Sequence, residues 1–286
     1  AMHLEDSPAT LQATRLWIKY APNTPAARQF AGIVYLREAN MPAAAQQFEA
    51  LLKIMQAQDA WLSIAGVLSQ EKDTLAAQQL MQTLVNAHVD EAEAHYALAL
   101  VQVAQKQIIP AEQSLHKAIQ LQAGWALPHV LLAQIMVGQE RKAEAIEYLE
   151  KKVEEYPDDY LLRHSYARQL VEVQRFPEAV QAFRLLHQAK PENKDIQYAL
   201  AILETQQKHW VEARKLWQKL RAEARFYVDA SYFLGQVEEF SGNKTLAIGL
   251  YNNVDRGEHM LDAAIQGARL LVEQGRLVEM RERMRN

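Results

Sequence analysis

Glu144-Ala145-Ile146-Glu147-Tyr148-Leu149 runs on to Pro157-Asp158-Asp159, and 34 residues later Glu178-Ala179-Val180-Gln181-Ala182-Phe183 runs on to Pro191-Glu192-Asn193. The alanine of these segments recurs at the same step in both directions, at Ala77, Ala111, Ala145, Ala179, Ala213 and Ala247, with Ala44 one step of 33 earlier. A second small residue keeps the period: Gly32, Ala65, Ala99, Ala133, Ala167, Ala201 and Gly235. Four residues after each periodic alanine stands a large apolar side chain: Phe48, Met81, Leu115, Leu149, Phe183, Trp217 or Tyr251. Self-similarity at a fixed step of this length marks a repeat architecture, in which stacked neighbours bury what one unit alone cannot.

Each unit reads as two short helices in a hairpin. The two small residues are predicted to meet where the helix axes pass closest, with the large residue one turn on filling the space beside them. The composition agrees. Of 286 residues 49% are hydrophobic, Gly (10) and Pro (9) are scarce, and good helix formers abound. A disordered chain would be far poorer in apolar residues.

The pattern resembles the tetratricopeptide repeat, a 34-residue helix–turn–helix unit with W-x2-L-G-x2-Y, A-x3-F and P positions. The matching residues are Ala31-Gly32 with Tyr35, Ala44 with Phe48, Trp61 with Ile64-Ala65, and Leu234-Gly235. The chain departs from the family in using mostly Ala for Gly and in keeping the late proline only at Pro157 and Pro191. The resemblance implies an all-α fold, a right-handed superhelical solenoid of about seven full repeats with partial repeats at both ends. Units are expected to start near residues 25, 58, 92, 126, 160, 194 and 228 and to fill 25–260 as one continuous domain. Residues 1–24 then hold the second helix of an earlier unit, and 261–286 a terminal, abbreviated hairpin. Ala1-Met2-His3 reads as an added junction. The open ends suit a fragment of a longer protein or, alternatively, a homo-oligomer formed through them.

Charge and motif content exclude several functions. The net charge is −4, and the basic end from Arg276 to Arg285 also carries Glu279 and Glu282, so nucleic acid is not an expected partner. There is no cysteine, which removes disulfides, thiol catalysis and thiolate metal sites but leaves the compartment open. No run of 18 apolar residues spans a membrane, and the start lacks the regions of a signal peptide. The nine histidines include no pair at ligand spacing on one helical face, and His88 and His95 straddle an expected loop; all nine read as surface or groove residues. S-x-x-K occurs at Ser69–Lys72, Ser114–Lys117 and Ser241–Lys244 without its S-D-N or K-T-G companions. The acidic pairs Glu154-Glu155, Asp158-Asp159 and Glu238-Glu239 lie at helix ends or on a first helix, with no inserted walls to build an acid–base site. Neither a cofactor nor catalysis is expected.

What remains is a surface. In stacked hairpins of this type the first helices line the concave side. Helical spacing from the small periodic residue selects Tyr96, Leu100 and Val103; Val130, Gln134 and Val137; His164, Arg168 and Val171; Tyr198, Ile202 and Thr205; and Tyr232, Gln236 and Glu239. This row is apolar and aromatic in its middle, with tyrosine at one repeat position in three units, and is expected to receive an extended or helical peptide. It lacks the converging Lys, Arg and Asn of the carboxylate clamps that grip chaperone tails. Tyr232-Phe233-Leu234-Gly235-Gln236, Gly249-Leu250-Tyr251, Gly257-Glu258-His259, Ala268-Arg269-Leu270-Leu271 and Gln274-Gly275-Arg276 are similar to the last repeats of large proteobacterial tetratricopeptide lipoproteins. One of those serves as adaptor for a periplasmic carboxyl-terminal processing protease. The likeness implies an envelope adaptor, periplasmic or outer-membrane-associated. The alternatives are a cytoplasmic location, a structural subunit of a secretion or polysaccharide-export complex, or the regulatory portion of an enzyme.

Overall fold

Three-residue connections join most helices two by two, because all but one of the first helices stop at a residue that turns the chain back in the left-handed region. The computed structural model describes residues 7–283; Ala1-Met2-His3 and residues 284–286 of the basic end lie outside the described residues. Those residues form seventeen α-helices and no strand. They divide into two compact units, Ala1–Tyr148 and Leu149–Asn286, with the division inside one helix. The first unit holds α1 (Ser7–Tyr20), α2 (Pro25–Arg37), α3 (Met41–Ile54), α4 (Ala57–Leu68), α5 (Thr74–Ala87), α6 (Ala92–Ala104), α7 (Ile108–Leu121), α8 (Ala126–Gly138) and the start of α9 (Lys142–Glu155). The second holds the rest of α9, then α10 (Tyr160–Glu172), α11 (Phe176–Ala189), α12 (Lys194–Gln206), α13 (Trp210–Arg221), α14 (Tyr227–Phe240), α15 (Lys244–Tyr251), α16 (Met260–Glu273) and α17 (Leu277–Arg283). No described helix is long and apolar enough to cross a membrane.

Seven of these turns share one backbone geometry. Ala39, Lys106, Glu140, Gln174, Lys208, Gly242 and Gly275 all take positive φ, between 55° and 86°. In each case the next residue donates its N–H to a carbonyl five residues back: Gln107 to Gln102, Arg175 to Leu170, His209 to Glu204 and Asn243 to Glu238, at 2.8–2.9 Å. The turn residue itself donates to the carbonyl three residues back, as Lys106 does to Val103 at 2.9 Å. This pair of bonds closes the end of a helix and favours glycine. Lys106, Glu140, Gln174 and Lys208 bear the strain of a side chain there. Replacing any of them by glycine is expected to raise the unfolding free energy by about 0.5–1 kcal/mol, the relief exceeding the added freedom of the unfolded chain. Gly242→Ala should do the reverse, and chemical denaturation measures both.

The periodic small residues are where hairpins close, with one difference from the expected contact. The partner of the first-helix small residue is the large side chain of the second helix, laid directly over it. A Cβ on Gly32 would come within 2.6 Å of the Phe48 ring, and one on Gly235 within 2.6 Å of the Tyr251 ring. Phe48 and Tyr251 are buried, and Tyr251 is further held by its hydroxyl, which donates to Glu239 at 2.9 Å. Gly235→Ala should therefore overpack this hairpin. Ala167, fully buried between α10 and α11, should behave likewise as Ala167→Leu, each change costing about 1–3 kcal/mol. An unchanged melting temperature for Ala167→Leu would mean that the site can give way.

Candidate protein-interaction surface

The first helices carry the candidate row, and in three of them, α6, α12 and α14, the residue ten before the turn is a tyrosine whose ring meets an aromatic side chain in the connection that precedes the next first helix. In the first unit this residue is Tyr96, whose ring meets Trp125 edge-on at 5.0 Å. In the second unit Tyr198 stacks on Phe226 at 5.3 Å and meets Trp217 edge-on at 5.3 Å, and Tyr232 stacks on His259 at 4.2 Å. The tyrosine hydroxyls are also engaged: Tyr198 donates to Asp229 at 3.1 Å, and Tyr232 accepts from Gln236 at 2.9 Å. Burial, then the Asp229 carboxylate, pushes the Tyr198 phenol up to about 12. Burial likewise raises Tyr96 and Tyr232.

Four of the residues picked by spacing are thereby drawn inside. Tyr96, Val130, Thr205 and Tyr232 are at most 9% exposed and pack between helices instead of facing a ligand. Thr205 ties α12 to α13, since its hydroxyl donates to the Ala201 carbonyl at 2.8 Å and accepts from the Trp217 indole at 2.9 Å. In the first unit Leu100 packs against the core formed by α2–α6, Val103 and Val137 are half-buried, and Gln134 is exposed. In the second unit His164, Val171, Tyr198, Ile202, Gln236 and Glu239 are half-buried, and Arg168 is exposed. His164 lies over Tyr160, and burial followed by the Arg168 charge lowers its pKa. Arg168 has no ion-pair partner among the described residues. Glu239 is taken by Arg269 and by the Tyr251 hydroxyl.

Three features of this surface do not follow from the 34-residue step. Counted back from the turn glycine Gly275, Ile265, Arg269 and Val272 of α16 occupy the places that Tyr232, Gln236 and Glu239 hold before Gly242. Ile265 and Val272 are each 49% exposed, so they extend the row. The last step is 33, and that shift hides them; the spacing of the turn glycines was the usable signal. Buried carboxylates are the second feature. Glu204, 1% exposed, accepts from Arg184 at 2.7 and 2.9 Å and lies 2.7 Å from His209 Nδ1. Glu238, 3% exposed, accepts from Arg214 at 2.5 and 3.2 Å and from Asn243 at 2.6 Å.

The histidines are the third. His129 is not a surface or groove residue: it is 1% exposed, its Nε2 faces the Ala123 carbonyl at 2.7 Å, and its Nδ1 faces the Tyr148 hydroxyl. His95 makes the same contact to the carbonyl six residues back, Val89, at 2.9 Å, and Arg163 bonds Pro157 in the same way. A polar residue at this place on the first helix thus ties down the preceding loop. No group of three or more His, Asp or Glu side chains among the described residues is placed to hold a metal ion.

Helical hairpins whose first helices present a half-exposed row, all but one of them closed by a left-handed turn, make an all-α fold of the tetratricopeptide-repeat solenoid class. Residues 170–237 match the tetratricopeptide repeat family model. Among solved structures the fold is similar to YrrB, described as a TPR protein with an unusual peptide-binding site, at 15% identity over 63% of this chain and 94% of that one (TM-score 0.54). It is similar to the C-terminal part of a TPR repeat-containing protein from Cytophaga hutchinsonii at 12% identity over 90% and 94% (TM-score 0.54). Pseudomonas aeruginosa PilF is similar at 15% identity over 76% and 98% (TM-score 0.52). These identities speak for the fold alone. A search of curated proteins finds no match to the sequence.

Proposed function

We propose that the chain is a protein-interaction scaffold, an adaptor whose first-helix surface in the second unit takes a peptide or protein segment. The observation that carries this reading is the row Val171, Tyr198, Ile202, Ile265 and Val272, which stays wholly or partly at the surface on α10, α12 and α16. Apolar groups kept in contact with water at repeat-equivalent places of three hairpins offer area for a partner to bury. Arg168 supplies an unpaired cation on α10 for an acidic group of that partner. The peptide-binding site named for YrrB supports a peptide as the ligand class. The likeness of the C-terminal repeats to proteobacterial lipoproteins supports an adaptor of the bacterial envelope, periplasmic or outer-membrane-associated, in protein assembly or proteolysis. No catalytic step is assigned to any residue.

The test is affinity capture from a Gram-negative envelope extract with the native chain, Ile202→Asp and Ile265→Asp, each first matched for helicity and melting temperature. Partners held by the native chain should be lost from both variants, with affinity down at least about tenfold for any partner identified. Retention by both variants would move the binding surface off the first helices.

A further inference from the structure

We propose that His88 is a proton-operated clip between repeats of the first unit: its imidazolium holds Glu49 of α3 and Glu91 at the start of α6 at once, and deprotonation releases one of them. His88 stands just after α5, in the connection to α6. Its Nδ1 lies 2.7 Å from Glu91 Oε1, and its Nε2 lies 3.1 Å from both carboxylate oxygens of Glu49. A carboxylate offers only acceptors, and a neutral imidazole has one N–H. Both contacts are therefore hydrogen bonds only when both nitrogens carry protons; a neutral ring would turn a lone pair toward one of the acids.

The clip is anchored on a third hairpin element. Glu91 uses its other oxygen to accept from the Trp61 indole of α4 at 2.9 Å, and Trp61, 1% exposed, meets the His88 ring edge-on at 5.4 Å. The cluster borders a cavity of about 220 Å³ that Lys53 of α3 and Glu93 of α6 also line. Lys53 opposes protonation of the ring and Glu93 favours it. Of the other elements packed here, α5 carries no ionisable side chain and α4 only Asp59. Burial works against the charged ring, but the hydrogen bonds to Glu91 and then Glu49 outweigh it, so the His88 pKa stands above its ordinary 6.5. The proton is thus held more tightly in the folded state. The added stability is complete below the unfolded-state value of 6.5 and is lost as pH rises through the folded-state value.

Two measurements test this. In NMR titration of the native chain, His88 should titrate with a midpoint above 6.5, and Glu49→Gln should move that midpoint down while leaving His88 in place. In thermal unfolding, the native chain should exceed His88→Gln by about 2 °C or more at pH 5.5, with the difference shrinking toward zero by about pH 8.5. A midpoint at or below 6.5, or one that Glu49→Gln does not move, overturns the clip. So does a native-to-variant difference that is the same at both pH values. If His88→Gln fails to fold at either pH, the Glu49→Gln titration alone decides the matter.

Discussion

Truncating Trp217 to alanine is expected to lower the unfolding free energy of the second unit by about 3–5 kcal/mol. The indole is fully buried, lies flat on Phe233 at 4.7 Å and receives the edge of Tyr198 at 5.3 Å. The rings that line it, Phe233 and Tyr198, are rigid and packed on their own helices, so most of the cavity should persist. The lost N–H also strips Thr205 of its donor in a buried place. Trp210→Ala is the control, because Trp210 is half-exposed and rests mainly on exposed Phe240 at 4.9 Å; its cost should be several-fold smaller. Denaturant unfolding of both variants checks the contrast. Near-equal losses would mean that the hairpin α12–α13 repacks around the missing ring.

The second large effect concerns Glu204. Arg184→Leu should cost about 3 kcal/mol, because it leaves a carboxylate that is 1% exposed with only His209 beside it. Arg184→Leu combined with Glu204→Leu should recover most of that loss. The reason lies in the repeat itself: the residue four before the turn is Glu204 here, Glu238 one step on, and an apolar buried Met136, Leu170 or Leu271 in other hairpins. The pocket therefore already accommodates an aliphatic side chain of this size. A well-packed aliphatic replacement of a buried ion pair is commonly neutral or stabilising, whereas half of the pair alone is not tolerated. A double variant no more stable than Arg184→Leu would show that the pair is needed for the packing of α11 on α12.

The fold class was legible because close packing imposes it on particular residues. A hairpin that lays Phe48 on Gly32 and Tyr251 on Gly235 tolerates nothing larger at those places, and the same constraint recurs every 33 or 34 residues. The row on the first helices was legible as positions but not as surface. Whether Tyr96, Tyr198 and Tyr232 are covered depends on Trp125, Phe226 and His259, which sit in connections of unequal length. Their separation from the tyrosines drifts from 29 to 28 to 27 residues, so no fixed period finds them. Ile265 and Val272 were hidden by the same drift. The His88 cluster joins residues from α3, α4 and α6 through a side chain at no repeat-defining place, and only the folded chain brings them together.

One hairpin turns without the left-handed residue. Between α4 and α5 the connection Ser69–Asp73 has five residues where the other first-to-second-helix connections have three, and the link before α4 has only two where most have four. The chain absorbs an insertion by a nearby deletion and returns to register. Within that connection Glu71 is tethered by Arg37 at 2.7 and 2.9 Å, and Asp73 caps α5 through the Ala76 N–H at 3.0 Å. Between those two anchors, at Glu71–Lys72, extra sequence would break none of the helix-closing bonds that every other turn depends on. This makes the joint the natural port for an inserted epitope or fluorescent module, and the one hairpin tip whose length can be engineered without unstitching a repeat.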